Sequence, residues 1–415
     1  MTAHKQTFPT NPDVIVVGGG PVGSYTALNL AKNGVKVAVF EEHSQIGLPS
    51  HCAGHISIRS LKKMDLYPLP ESILENKFRA ANFYSPYGAK FSLRLSCPVT
   101  VVLNRARFDQ YLAKQAEAVG VTFVLNSMVQ SLAMTDGYVK GANVKLVDGD
   151  TVHVESKIVT DAEGISSRLL RQTGLTPLKP SGIVYAVEAE MENVQCVDLE
   201  AVEVYFGKAY APGFYGWLIP RPDGSAKVGL AVKNGDPREY LKRLMTKHPV
   251  ASKQLAKAKI ITIGYHAITL AGSIPQAYTN GFLAVGDCAS QVKPTTGGGV
   301  IFGLTAAKTA AEVASQAVAQ DNVSSHVLQA YQKRCDDLFR FDFSVMLRLR
   351  RFLNSLSDDK LDEMLRVCGK LGVDKSLRNV DEIDFQGKML LTAVHKPAIA
   401  ASLLYFGLLY LSANA

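Results

Sequence analysis

The segment DVIVVGGGPVGSYTALNLAKNGVKVAVFE, Asp13 to Glu41, constrains this chain more than any other. Val14 to Val17 is a β-branched apolar run, long enough for a strand buried on both faces. Gly18, Gly20 and Gly23 follow at G-x-G-x-x-G spacing, and an Ala/Leu-rich helical pattern runs on to Lys32. Gly34 ends that helix, and Val35 to Phe40 reads as the next buried strand, closed by Glu41. Three glycines in this order suit one task. The first makes a tight turn, the second lets backbone approach a pyrophosphate, and the third lets helix and strand pack closely. The helix N-terminus then points unpaired N–H groups and a positive dipole end at the phosphates. Glu41 stands where an acid takes both ribose hydroxyls. The segment therefore predicts a dinucleotide-binding strand–helix–strand unit.

At 415 residues the chain exceeds one typical domain and has enough length for a large core. A hydrophobic content of 47% with 20% charged residues excludes a disordered chain. The net charge of +8 fits anionic surfaces or phosphorylated substrates, but equally a basic protein with no such partner. Neither basic runs nor a nucleic-acid motif is present, so no nucleic-acid partner is expected. The six cysteines (Cys52, Cys97, Cys196, Cys288, Cys335, Cys368) contain no C-x-x-C, so neither a zinc site nor an iron–sulfur cluster is signalled and no metal is expected. Nothing before Pro12 has the pattern of a signal peptide, which leads to the expectation of an intracellular protein. Disulfides are then not the default, and a Cys335–Cys368 pair is left open.

Past Glu41, the stretch EHSQIGLPSHCAGHIS is loop-like, with Cys52 and His55 as its titratable groups. Phe78 to Leu95 alternates around a Pro-Tyr-Gly turn, a hairpin signature. A helix is expected from Arg105 to Gly120, followed by strand-like runs around an Asp148-Gly149 turn that suggest a β-meander. That part closes on Asp161, Glu163 and Gly164, with Arg168 beyond. From Gly182 to about Ile274, long strands rich in Val, Tyr and Phe predict a largely antiparallel sheet holding the only tryptophan, Trp217. The nucleotide-binding pattern then returns: Phe282 to Val285 is a buried strand, Asp287 stands at its end, and Gly297 to Gly299 open an Ala-rich helix. From Ser324 the chain is helical. Arg348, Arg350 and Arg351 interleave with leucines there, and residues 398–415 are apolar, uncharged and at the lower edge for spanning a bilayer. The arginines read as a solvated helix face or a lipid-phosphate contact, and the tail as a monotopic membrane contact or a buried helix closing a pocket.

The glycine motif with Glu41, the degenerate Ala162-Glu163-Gly164 and the Gly286-Asp287 segment resemble the flavin-dependent superfamily that includes p-hydroxybenzoate hydroxylase. More narrowly, the chain resembles the geranylgeranyl reductase family, including the archaeal digeranylgeranylglycerophospholipid reductases, over roughly residues 12–320. Four stretches carry this: IGLPSHCAG, NRARFDQYLAKQA, FYGWLIP and GDCASQVKPTTGGGVIFG. FYGWLIP matches the family's Y-x-W-x-F-P with Ile219 in place of Phe, and Cys52-Ala53-Gly54-His55 replaces its Cys-Gly pattern. Position by position, the resemblance implies that Gly18, Gly20 and Gly23 cradle an FAD pyrophosphate and Glu41 its adenosine ribose. It places Cys52 and Ala53 beside the flavin with Arg105, and Val129 on the adenine. Asp287 would take the ribityl chain, and Gly299 and Val300 would offer N–H groups to the isoalloxazine. Tyr215 and Trp217 would line an isoprenoid pocket.

The fold so implied is α/β: a Rossmann-type FAD-binding domain (1–181 and 275–323), an inserted mainly antiparallel β-sheet substrate domain (182–274) and a C-terminal helical region (324–415). The activity implied is FAD-dependent reduction of geranylgeranyl double bonds in membrane lipid precursors, with Cys52 as the catalytic candidate. Burying one five-carbon prenyl unit contributes about 3–4 kcal/mol, at ~0.8 kcal/mol per methylene, so aromatic and aliphatic side chains could hold a multi-unit chain with few hydrogen bonds. The alternatives are a monooxygenase or halogenase, a quinone-side-chain reductase, and an electron-transfer dehydrogenase. Tyr215 occupies the first position of the halogenase W-x-W-x-I-P pattern. Only one dinucleotide fingerprint exists, so the electron donor, NAD(P)H or reduced ferredoxin, is not readable. The expected location is cytoplasmic, peripheral on the inner face of the cell membrane.

Overall fold

A computed structural model describes residues 11–50 and 52–414; the polar start before Pro12 that carried the signal-peptide reading, and Ala415, lie outside them, apart from Asn11. The chain forms two compact units, residues 11–50, 105–182 and 271–340 in the first and 52–104, 183–270 and 341–414 in the second.

The first unit is built on a six-stranded sheet ordered Tyr278–Thr279, Phe282–Ala284, Ile158–Asp161, Val14–Val17, Val37–Phe40, Thr122–Val124. All neighbours are parallel except the outermost pair, Tyr278–Thr279 with Phe282–Ala284. Parallel strands covered on both faces read as unbroken apolar runs. Val14, Ile15 and Val16 are fully buried, each contributing about 1.5–3 kcal/mol. The helix Pro21–Lys32 packs on Arg105–Glu117 and on Val300–Ala319. A meander of Met128–Thr135, Tyr138–Lys145 and Thr151–Glu155 completes the unit, as the Asp-Gly turn predicted.

The second unit carries a seven-stranded sheet ordered Lys259–Thr269, Ile183–Glu192, Ala226–Val232, Gly216–Pro220, Ala201–Tyr205, Ala80–Tyr84, Lys90–Arg94. It is antiparallel except where Ala201–Tyr205 runs parallel to Ala80–Tyr84. This pairing corrects the expected domain boundaries. The hairpin at 80–94 extends the Trp217-bearing sheet, so residues 52–104 belong with 183–270 and not with the nucleotide-binding part. The C-terminal helices are no separate region either. Phe352, Leu356, Leu361 and Leu365 share one core with Ile399 and Leu409, packed against Phe83, Phe91 and Phe206 of the sheet.

Candidate functional site

In the first unit, the three glycines differ as the motif requires. Gly18 leaves the strand with φ +93°, and a Cβ there would stand 2.6 Å from the Ala162 carbonyl oxygen. A Cβ on Gly23 would come within 1.9 Å of Gly18 O, so the helix closes on the turn only because no side chain is present. Gly20 is the opposite case, with nothing within 4 Å of its would-be Cβ. It is the N-cap of Pro21–Lys32, and that helix has no side-chain cap and no acid in its first turn. Open space beside uncapped N–H groups fits a bound pyrophosphate.

Glu41 is buried and organised from both sides. Its Oε2 accepts the Gly19 N–H at 2.7 Å, and its Oε1 accepts the His43 N–H at 2.9 Å and faces His43 Nδ1 at 2.6 Å. The acid therefore braces the glycine turn. Arg105 pairs with Asp109 one helical turn on, with contacts of 3.1–3.2 Å and both side chains nearly buried. Burial lifts the Asp109 carboxyl above its usual range while Arg105 opposes the shift. The same holds for Asp287, raised by burial and opposed by Arg105, so the guanidinium serves two carboxyls. Gly299 caps Val300–Ala319 without a side-chain bond, and a Cβ on it would stand 2.7 Å from Asp287 Oδ1. Asp287, Gly299 and Val300 are thus adjacent. Val129 is a buried residue of the meander.

The degenerate motif carries its own acids. Glu163 Oε1 accepts the Leu169 N–H at 2.7 Å and Oε2 faces Arg168 Nε at 3.3 Å, so the longer side chain caps the Arg168–Gln172 helix. Burial, with Glu163 nearby, holds the Asp161 carboxyl well above the carboxylate range.

Cys52, Ala53, Tyr215 and Trp217 lie in the second unit. Ala53 and Tyr215 pack on one buried cluster that includes Phe78, Phe214, Trp217 and Ile219. Tyr215 stacks on Phe214 at 4.3 Å and meets Trp217 edge-on at 6.1 Å. Cys52 is partly buried, and its Sγ accepts the Gly54 N–H at 3.5 Å. His55 Nε2 bonds Thr100 Oγ1 at 2.7 Å and its ring sits edge-on to Phe78, which binds it into the strand. The arginine cluster divides. Arg348 and Arg351 are exposed, whereas Arg350 is 8% exposed, donates to Gly213 O at 2.8 Å and lies over Phe214 at 4.3 Å. Burial lowers its pKa to about 10. Neither a solvated face nor a lipid-phosphate contact describes Arg350, which supports the aromatic cluster by a cation–π contact.

The sequence reading passed over His43, Asp109, Glu188 and Lys227. Asp109 was signalled by its i,i+4 spacing from Arg105. Glu188 and Lys227 were signalled as charges inside apolar strands, VYAVEAEM and AKVGLAV. All six cysteines are free, and burial pushes the Cys335 and Cys368 thiols up to about 12 and about 11. Among the described residues no group of three His, Cys, Asp or Glu is placed to hold a metal.

A family model described as an FAD binding domain matches residues 11–340. The fold and this cradle define an FAD-dependent oxidoreductase. The chain belongs to the geranylgeranyl reductase family within that group. It is 34% identical to digeranylgeranylglycerophospholipid reductase 2 of Methanothermobacter thermautotrophicus over 85% of this chain and 91% of that one. It is 32% identical to the digeranylgeranylglycerophospholipid reductase of Methanocaldococcus jannaschii over 93% and 96%. The crystal structure of a geranylgeranyl bacteriochlorophyll reductase-like protein from Thermoplasma acidophilum superposes with a TM-score of 0.85 at 27% identity, covering 96% of this chain and 99% of that one. A flavin-dependent brominase, at TM-score 0.66 and 21% identity over 86% and 93%, shares the fold.

Proposed function

We propose that this protein reduces the double bonds of geranylgeranyl chains in membrane lipid precursors. The carrying observation is the aromatic cluster of Phe214, Tyr215 and Trp217 with Ala53 packed on it, in a chain whose relatives bear the name of that reaction. When bound and reduced, FAD supplies the hydride. The chain's own residues then bind and orient. The uncapped turn at Gly20 holds the phosphates, Glu41 the ribose, and the Asp287–Gly299–Val300 corner the flavin end. Cys52, beside Ala53, is the candidate for steering hydride or proton delivery. The apolar cluster excludes water and holds prenyl carbon by burial alone. A halogenase reading has weaker support, since Tyr215 stands where that pattern has tryptophan. Electrons come from NAD(P)H or reduced ferredoxin under this reading.

A lipid substrate supports a peripheral location on the inner face of the membrane, and the exposed apolar residues of the C-terminal helices support a membrane contact. Among the described residues no single helix is long and apolar enough to cross a bilayer. Gln386–Ala393 and Pro397–Tyr410 instead form a pair bent by 116°. Ile399 and Leu409 bury one face of the last helix, while Leu404 (71% exposed), Leu408 (60%) and Leu391 (60%) remain outside. These exposed apolar side chains, Leu404 and Leu408 on a helix without charge, support a membrane contact there. The test of the whole reading is anaerobic incubation of the reduced protein with geranylgeranyl lipids, geranylgeranyl diphosphate and menaquinone, read by product mass. Gain of hydrogen on the lipids supports it; oxidation of the flavin by menaquinone alone refutes it.

A further inference from the structure

Lys227 stands inside Ala226–Val232, a strand whose residues are all buried, and its side chain is only 4% exposed. An ammonium in such a place is tolerated only if its charge is balanced and its three donors are used. Here Nζ donates to Leu103 O at 3.0 Å and Ala53 O at 3.2 Å, and it pairs with Glu75 Oε2 at 2.9 Å. Two of the three partners are backbone carbonyls outside the lysine's own sheet. Leu103 also donates its N–H to Gly54 O at 2.9 Å. Residues 53 and 54 are therefore tied to the end of the Thr100–Leu103 strand twice, once directly and once through the lysine. The Gly54 N–H in turn meets Cys52 Sγ. The segment has no regular secondary structure of its own, so these bonds are what set its path.

Opposite Lys227 in register on Ile183–Glu192 is Glu190, with Glu188 two residues along the same face. The Glu188 carboxyl is buried and accepts the Trp217 Nε1–H at 3.0 Å. Gly229 is opposite both residues in register, and a Cβ on it would stand 2.5 Å from the indole. The ring thus lies across the strand on a glycine and reaches the acid beyond. Besides Lys227, the charged groups that act on Glu188 are Glu190 of its own strand and Arg221 just past the end of Gly216–Pro220; its partner on Lys259–Thr269 is Gly264. Burial first of all, with Lys227 opposing, raises this carboxyl to about 7.

We propose that Lys227 is the positioning residue of the Cys52–Ala53 segment, fixing it to the strand face on which Gly229 meets the Trp217 indole. The proposal rests on the reading of Cys52 and Trp217 as parts of one reductase site. The ammonium, paired with Glu75, then holds to one strand face two groups that are 165 positions apart in sequence.

The test uses the FAD-loaded full chain with Lys227→Met, and with Lys227→Arg in case the neutral variant does not fold. Both variants should retain FAD. Amide exchange at residues 53–55 and maleimide labelling of Cys52 should each rise about tenfold, the effect of one lost hydrogen bond. Cys97 and Cys196, both exposed, serve as internal labelling controls. Emission from Trp217, the only tryptophan, should shift in Lys227→Met and return toward wild type in Lys227→Arg. In turnover with a geranylgeranyl lipid, kcat should fall while KM changes little. Folded Lys227→Met with unchanged exchange, labelling and emission overturns the proposal, as does folded Lys227→Arg with unchanged exchange and labelling. Those three readouts need no substrate, so a failure of the reductase reading alone would leave them standing.

Discussion

Replacing Glu41 by alanine probes the cradle most directly. Its carboxylate accepts two backbone N–H groups, from Gly19 and His43, and faces the His43 ring. Gly19 is buried, so removing the acceptor leaves an N–H with neither protein partner nor water. A hydrogen bond to an ionised group contributes about 1.5–3 kcal/mol, and losing the brace of the phosphate turn passes that energy into FAD affinity. The expected loss is ~10- to 150-fold in Kd, at about 1.4 kcal/mol per decade. Glu41→Gln keeps one oxygen for Gly19 but turns an amide toward His43 or the ribose, so its loss should be smaller. The measurement is titration of the apoprotein with FAD by quenching of flavin fluorescence, alongside the thermal midpoint of each apoprotein. If folded Glu41→Ala binds FAD within about threefold of wild type, Glu41 neither braces Gly19 nor contacts the cofactor.

Three further outcomes are expected. Cys52→Ala should keep the FAD spectrum yet slow oxidation of the reduced protein by prenyl substrate in single turnover; unchanged rates would return Cys52 to a packing role. Glu188 has its folded pKa raised, so its contribution to stability is present below the ordinary range near 4.5 and lost as pH rises through about 7. Glu188→Gln removes this dependence, and its stability relative to wild type in urea should improve between those pH values by on the order of 3 kcal/mol; a flat difference would show that the carboxyl titrates normally. Leu404→Glu with Leu408→Glu changes exposed positions and should leave the thermal midpoint nearly unchanged, each within roughly 0.5 kcal/mol. It should abolish flotation with anionic liposomes, and retained flotation would place the membrane contact elsewhere.

The nucleotide-binding core was legible because its information is local. Between Val14 and Glu41 every determinant acts over a few residues: an apolar run buried on both faces, a left-handed glycine, a helix start without a cap, and an acid after the second strand. The Asp287–Gly299–Val300 corner was legible for the same reason. Tyr215 and Trp217 were marked by the resemblance of FYGWLIP to the family pattern, although what they touch was not.

From its sequence alone the chain was bound to contain a dinucleotide fold, a strand-rich part around Trp217 and a helical end, since backbone geometry and hydrophobic period are properties of short segments. Which segments share a core was decided only in three dimensions. The parallel pairing of Ala80–Tyr84 with Ala201–Tyr205 moved residues 52–104 into the Trp217 unit, and no local pattern encodes a partner more than a hundred positions away. The roles of single charges were decided there too. Arg350 looked like its neighbours Arg348 and Arg351 until packing buried it on Phe214, and Lys227 became a clamp because its ammonium donates to Ala53 and Leu103 and pairs with Glu75. Burying a charge is favourable only where partners from distant segments converge on it, and that convergence is a property of the folded chain.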